Sequence, residues 1–211
     1  DILALNDRRT QVIDLKGRTC LPGLTDPHVH FADGGAHMMH RIDCRDFYSN
    51  VRSIPQIVEK IREQAKQQAP GTWVVAHGSP MQDYRMPEKR FPDRHDLDAA
   101  STEHPIVINF GAHITIANTK ALELAGIRAG SAAPAGGSII FDKDGVPTGK
   151  LVERAQYIVR NIQPQYSYDQ MKDGVIFAAN RCLARGITNI HDIVTDDAAV
   201  RAYQELVSEE R

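Results

Sequence analysis

The stretch LPGLTDPHVHF, residues 21–31, decides the fold of this 211-residue sequence and carries its most informative chemistry. It is apolar around its two histidines, which suits a buried strand, and Pro22-Gly23 supplies a turn just before it. Side chains two apart on a strand point to one face, so His28 and His30 are predicted to converge. Two neutral imidazoles can share a divalent metal ion, since His is the commonest protein ligand for such ions. The spacing alone fits equally well with two half-buried histidines on a sheet.

The residues on either side of the pair extend the pattern to VIDLKGRTCLPGLTDPHVHF, residues 12–31. This string resembles the entrance to the catalytic barrel in the amidohydrolase superfamily, where a β-domain strand leads through a Pro-Gly turn into barrel strand one. Two later segments, PTGKLVE at 147–153 and GAHITIANTKAL at 111–122, resemble signatures of the YtcJ-like branch, which includes N-substituted formamide deformylase. Thr119 stands where that branch usually has Ser.

The resemblance implies a (β/α)8 TIM barrel of a metal-dependent hydrolase with a small β-sandwich domain. Residues 1–20, with expected strands at 2–5 and 12–15, would belong to the small domain. Residues 21–211 would form the first half of the barrel, with an insertion at about 128–150 that turns back through Asp144-Gly145. Only about four β/α units can be placed, whereas a closed barrel needs eight in roughly 250 residues. The simplest interpretation is that the chain is incomplete and covers the first half of the barrel. A stand-alone half would leave bare sheet edges unless two copies pair as a homo-oligomer.

The periodicity of the chain predicts alternating helices and strands, which favours a parallel α/β arrangement. Strands are expected at 72–78, 105–110 and 187–192. A short helix should begin at Asn118 as its cap and end at Gly126, and a long helix should run from about residue 168 to 185. Two further helices are predicted from apolar residues at helical spacing: Ile54, Ile57, Val58, Ile61 and Ala65 in one, and Val200, Tyr203 and Leu206 in the other.

Composition excludes several classes of function. A net charge of -2 and a pI near 6.5 give no electrostatic reason to expect nucleic acid or a membrane as partner. The longest apolar runs are far too short to span a bilayer. Three cysteines, Cys20, Cys44 and Cys182, form no disulfide pattern and indicate a reducing, cytoplasmic location. The sequence begins with Asp1, so a leader segment is left open.

The metal site is the first expectation that follows from the resemblance. His28 and His30 would bind the buried metal ion, and Glu153 would take the bridging place of the carboxylated lysine found elsewhere in the superfamily. A carboxylate can bridge because it offers two oxygens; without the resemblance, Glu153 would be a solvated helix-start residue. Imidazole and carboxylate suit zinc best, with iron, manganese or nickel also compatible, as one or two ions. Asp26 either orients an imidazole or caps the turn.

The substrate side of the site rests on residues at strand ends. His113 either polarises a substrate carbonyl or is a loop histidine bonded to backbone. His77 and Asp192 are expected to line the pocket because function in such barrels lies at the carboxyl ends of strands. No general base can be assigned in the sequence. The resemblance places two further metal-binding histidines and a catalytic aspartate beyond Arg211.

These observations predict a metal-dependent amidohydrolase that cleaves a C–N bond of a small amide or formamide with a metal-activated water. A non-catalytic metal-binding or interaction protein on the same fold is one alternative. A cyclic-amide hydrolase of the dihydropyrimidinase kind is another, and it would need a bridging lysine on a strand.

Overall fold

The computed structural model of the protein describes residue 4, residues 6–194 and residues 197–209. Within these residues the chain folds into a mixed α/β structure of nine helices and eight strands. In chain order they are β1 (Leu24–Val29), α1 (Phe31–His40), β2 (Ile42–Asp43), α2 (Asp46–Ser49), α3 (Ile54–Ala65), β3 (Val74–Gly78), α4 (Gln82–Arg85), α5 (Arg94–Asp98), β4 (Ile106–Phe110), β5 (Ile114–Ala117), α6 (Thr119–Leu124), β6 (Gly137–Phe141), β7 (Pro147–Glu153), α7 (Gln156–Arg160), α8 (Tyr168–Leu183), β8 (Ile187–Asp192) and α9 (Asp197–Ser208).

The strands form two separate sheets. One has two parallel strands, β1 and β8, and the other has six in the order β2-β3-β4-β5-β7-β6. Strands β2, β3 and β4 are parallel, as the alternating pattern predicted, whereas β5, β6 and β7 are antiparallel to their neighbours. For β4 and β5 the reason is connection length, because three residues join them and a parallel crossover needs a dozen or more. Among the described residues the strands do not close into a barrel.

Most of the predicted elements are confirmed. Helix α3 buries Ile54, Ile57, Val58, Ile61 and Ala65, the five residues that its periodicity selected. The strand predicted at 187–192 is β8, and the hairpin predicted in the insertion is formed by β6 and β7. These elements are encoded in short stretches of sequence, where periodicity and turn residues act directly.

Both predicted ends of helix α6 are also confirmed. The Asn118 side chain accepts a hydrogen bond from the Ala121 amide and caps the start. At the other end Gly126 takes a positive φ of 68°, which Gly adopts without steric cost. The Ile127 amide then donates to the Leu122 carbonyl at 2.9 Å, which completes the glycine-based helix end.

One prediction about secondary structure is wrong. Residues 12–15 form no strand, and Val12 and Ile13 are more than two-thirds exposed, because no strand among the described residues pairs with them to satisfy their backbone groups. The strand predicted at 2–5 falls largely outside the described residues. The predicted helix α9 is confirmed, with Leu206 buried and Tyr203 packed against the same apolar cluster, whereas Val200 is exposed and its place in the core is taken by Ala199 and Ala202.

Helices α1 and α8 cross at a pair of glycines beside the two-stranded sheet. A Cβ atom on Gly35 would lie 2.0 Å from the Gly174 carbonyl oxygen, so the two backbones are in direct contact. Around this crossing Phe31, Ala36 and Val175 belong to one apolar cluster, which also takes in residues of α9. Among the described residues, no helix is long and apolar enough to cross a membrane.

Candidate functional site

The two histidines of the opening stretch lie at the carboxyl end of β1. Their ring centroids are 5.8 Å apart with the planes at 83°, and both side chains are exposed. Val29, between them, packs against the helix cluster, and His30, the residue just before α1, lines a small pocket together with Val29 and Phe31. The register shifts between Asp26 and Val29, where Pro27 has no amide to donate to β8. The two imidazoles are therefore neighbours at this strand end, and their role as metal ligands stays a prediction.

Asp26 acts on the backbone rather than on a ring. Its Oδ1 accepts a hydrogen bond from the His28 amide at 3.1 Å, the local bond of a turn-forming aspartate. Of the two roles considered for Asp26, the structure therefore favours the turn.

Asp192, expected in the pocket wall, holds the start of helix α1. Its carboxylate accepts from the Phe31 amide at 2.7 Å and the Ala32 amide at 3.4 Å, and it also accepts from the Tyr203 hydroxyl. A carboxylate at a helix start is favoured by the orphan amides and by the helix dipole. Because His30 immediately precedes Phe31, this contact fixes the backbone that carries the second imidazole.

His113 and Glu153 form a pair at one end of the six-stranded sheet. The His113 Nδ1 lies 2.9 Å from Glu153 Oε1, and the Glu153 amide donates to the His113 carbonyl at 2.9 Å. Both side chains are exposed, at 70% and 55%. Glu153 is the last residue of β7 and has a φ of 50°, a conformation unfavourable for a residue with a side chain. It is a strand-end residue and not the start of a helix.

A row of polar side chains, absent from the sequence prediction except for His77, crosses four neighbouring strands. Asp43, His77, Asn109 and Thr115 are direct partners in the registers of β2, β3, β4 and β5, so they share one face. The Thr115 hydroxyl donates to Asn109 Oδ1 at 2.6 Å. Each residue lies at the edge where β2 to β4 end and β5 begins, and that position is the signal that could have indicated them.

The buried end of this row contains unsatisfied groups. His77 Nε2 lies 3.5 Å from Asp43 Oδ1. Neither His77 Nε2 nor Asn109 Nδ2 has a hydrogen-bond partner among the described residues. Burial lowers the pKa of His77 to about 4, with a contribution from the Arg45 charge. Burial likewise lowers the pKa of His37, whose ring centroid lies 6.2 Å from that of His77, to about 2. Both imidazoles are therefore neutral at pH 7.

The predicted metal ligands are brought together only in part. The structure joins His28 to His30 and Glu153 to His113, but on two different sheets. Within the described residues, no three His, Cys, Asp or Glu side chains form a group that could hold a metal ion. The imidazole pair has the donor chemistry that zinc and related ions prefer, yet two donors are fewer than a firm site needs.

Comparison with solved structures identifies the class of fold. The chain superposes on an uncharacterized metal-dependent hydrolase from Pyrococcus horikoshii with a TM-score of 0.57 and 20% identity, covering 90% of this chain and 34% of that one. At this identity the likeness shows a shared fold.

Sequence comparison then gives the family. The model of the Amidohydrolase family matches residues 11–211, and the chain belongs to that family. It is 29% identical over 199 residues to N-substituted formamide deformylase of Arthrobacter pascens, covering 92% of this chain and 36% of the relative. It is 27% identical over 183 residues to YtcJ of Bacillus subtilis, named as an amidohydrolase, covering 86% and 33%. The predicted YtcJ-like branch is confirmed. The chain spans about a third of the length of the curated relatives it matches.

Proposed function

We propose that this chain contributes to the active site of a metal-dependent hydrolase acting on a C–N bond of an amide or formamide. The observation that carries the proposal is the close approach of the His28 and His30 rings, whose centroids are 5.8 Å apart at the end of β1. Membership of the Amidohydrolase family supports the same reaction class. The name of the Arthrobacter relative suggests formamides as the substrates to test first.

His28 and His30 would hold the metal through neutral imidazole nitrogens. Asp192 supports this arrangement because it anchors the backbone directly after His30. A bound divalent ion would lower the pKa of a water molecule and polarise the substrate carbonyl. Zinc suits the donors best.

The His113–Glu153 pair would act on the substrate side or complete the metal site. With Glu153 ionised, His113 Nδ1 donates to it, and Nε2 is left for a hydrogen bond with substrate. The second carboxylate oxygen of Glu153 is the atom proposed to reach a metal. A cyclic-amide hydrolase would need a lysine that bridges its metal ions, and Lys150, on the same strand as Glu153, does not suit that role. The Lys150 Nζ lies 5.0 Å from the Phe91 ring centroid. Strand alternation also puts Lys150 on the face opposite Glu153.

The decisive experiment measures metal content and turnover in the same preparations. His28→Ala is expected to lose metal and activity together, as measured by plasma mass spectrometry and by hydrolysis of a panel of formamides and acyl amides. His95→Ala, which removes an exposed histidine elsewhere, is the matched control. Glu153→Gln should lower metal content, whereas His113→Ala should retain metal and lower turnover. Full metal content in His28→Ala would refute the proposal.

A non-catalytic metal-binding protein is the second candidate, because the described residues supply only two converging donors. The same experiment separates the two functions. Metal that depends on His28 without any turnover on the panel would favour the non-catalytic protein.

A further inference from the structure

A cavity of about 420 Å³ lies beside β2 and the start of β3, and Asp43 of the polar row forms part of its wall. Helix α3 bounds it on one side and residues 163–166, which lead into α8, bound it on another. Trp73, just before β3, lines it, whereas His77 lies near the other end of that strand. Its volume is in the range of small-molecule sites, about 300–1,000 Å³.

Two buried polar groups in the cavity wall lack a well-aligned hydrogen-bond partner among the described residues. Gln163 is only 7% exposed, and its Nε2 has no hydrogen-bond partner among the described residues. The Tyr166 hydroxyl is buried and makes no well-aligned hydrogen bond with the described residues, although it interacts with the Arg41 guanidinium. Buried groups of this kind are nearly always hydrogen-bonded, so both indicate a ligand or water in the cavity. An amide N–H and a hydroxyl can both donate, which favours a ligand rich in acceptors.

The charges around the cavity are positive. Lys60 Nζ donates to the Asp43 main-chain oxygen at 2.7 Å, which leaves two of its three protons for other acceptors. Asp43 itself is neutralised, because its carboxylate accepts two hydrogen bonds from Arg45 at 2.8 and 2.9 Å. The Arg41 guanidinium lies 5.4 Å from the Tyr166 ring centroid and also lines the cavity. Arg41 is partly buried, and this burial lowers the pKa of its guanidinium.

We propose that this cavity binds a small organic anion whose carboxylate or phosphate group is held by Lys60, Arg41 and the Gln163 amide. Charge-assisted hydrogen bonds from such groups are stronger than neutral ones. The unpartnered Gln68 Oε1, also in the lining, would accept a hydrogen bond from a hydroxyl of the ligand. The groups proposed to hold the anion, Lys60, Arg41 and Gln163, are different residues from those proposed for the hydrolase chemistry.

The chain carries its own reporter for this site, because Trp73 is its single tryptophan. Trp73 fluorescence is followed while inorganic phosphate, and separately acetate, is added at constant ionic strength maintained with sodium chloride. A saturable change in Trp73 fluorescence with phosphate or acetate, but not with chloride, supports the proposal. A response to phosphate identifies a phosphate group as the one bound, and a response to acetate identifies a carboxylate. Chloride alone producing the same change would overturn the proposal, since the effect would then be general screening.

Three variants locate the binding. Gln163→Glu keeps the shape of the side chain but replaces a donor by a negative charge, and Lys60→Gln removes a cation. Each is expected to weaken binding about tenfold or more, the usual size for loss of a hydrogen bond to a charged group. Lys66→Gln removes an exposed lysine just after the same helix, outside the cavity, and should leave binding within about twofold of the starting protein.

Circular dichroism checks the fold of each variant, and Lys60→Gln, at a partly exposed position, keeps the test valid if Gln163→Glu fails to fold. Unchanged affinity in folded Lys60→Gln would overturn the proposal. The metal content of these variants should match that of the starting protein, so failure here and failure of the hydrolase proposal are distinguishable.

Discussion

The contact between Gly35 and Gly174 makes a demanding prediction about stability. An alanine at position 35 would place its Cβ 2.0 Å from the Gly174 carbonyl oxygen and 2.6 Å from the carbonyl carbon. Both neighbours are backbone atoms of a helix and cannot rotate away. The Gly35→Ala protein must therefore separate α1 from α8 by more than 1 Å to reach an ordinary van der Waals distance of about 3.5 Å.

The expected cost follows from two opposing effects. Overpacking costs about 1–3 kcal/mol, and a backbone-to-backbone clash belongs at the upper end of that range. Replacing Gly by Ala inside a helix stabilises the helix by about 1 kcal/mol, because Ala has the higher helix propensity. The free energy of unfolding should therefore fall by about 2 kcal/mol, which for a chain of this size lowers Tm by roughly 4–8 °C.

Gly34 provides the matched control one residue away in the same helix. A Cβ there meets no atom within 4 Å, so Gly34→Ala gains helix propensity and raises Tm by a few degrees. Gly174→Ala should repeat the loss, because its Cβ would lie 2.5 Å from the Ala36 amide nitrogen. Urea unfolding followed by circular dichroism measures all three. If Gly35→Ala and Gly34→Ala shift stability in the same direction, the helices do not cross at these glycines.

Three further predictions concern single side chains. The pKa of His77 is about 4 in the folded protein and near 6.5 in the unfolded chain, so only the unfolded state takes up a proton between these pH values. The free energy of unfolding should therefore fall by about 3 kcal/mol as the pH drops from 6.5 to 4. In urea unfolding, the free energy of unfolding of His77→Gln should depend less steeply on pH. Asn118→Ala should lower the free energy of unfolding, measured in the same assay, by about 2–4 kcal/mol, because it removes the cap of α6 and leaves the buried Ile106 amide unpaired. An unchanged unfolding midpoint would contradict this prediction. Glu153→Gly should raise the unfolding free energy by about 1 kcal/mol, because glycine accepts a φ of 50° without strain, whereas Glu153→Ala should not.

The features predicted correctly from sequence are those set by short stretches of chain. The buried face of α3 follows from apolar spacing, and both ends of α6 follow from Asn118 and Gly126. Such features depend on hydrogen bonds between residues a few positions apart, so they can be predicted from a short stretch of sequence. The two-residue strand β2 was missed because so short a run has no periodicity, and it forms only by pairing with β3.

The site could be predicted only where its residues are close in sequence. His28 and His30 lie two apart in the sequence, and their rings are neighbours in the structure. The polar row from Asp43 to Thr115 comes from four strands, and its members become neighbours only through the sheet register. The Asp192 contact with the Phe31 amide spans 161 residues and carries no local signal. The predicted roles of Glu153, His113, His77 and Asp192 in chemistry stay predictions.

The conformation of Glu153 gives a physical reason to place it in the site. A φ of 50° costs a residue with a side chain about 1 kcal/mol or more. Its ion pair with His113 offsets little of this, because exposed pairs contribute about 0–1 kcal/mol. Glycine at this position would avoid the strain and retain the backbone hydrogen bond to the His113 carbonyl. Fold stability therefore does not account for a glutamate at the end of β7, and a role for its carboxylate in binding metal or substrate would account for it.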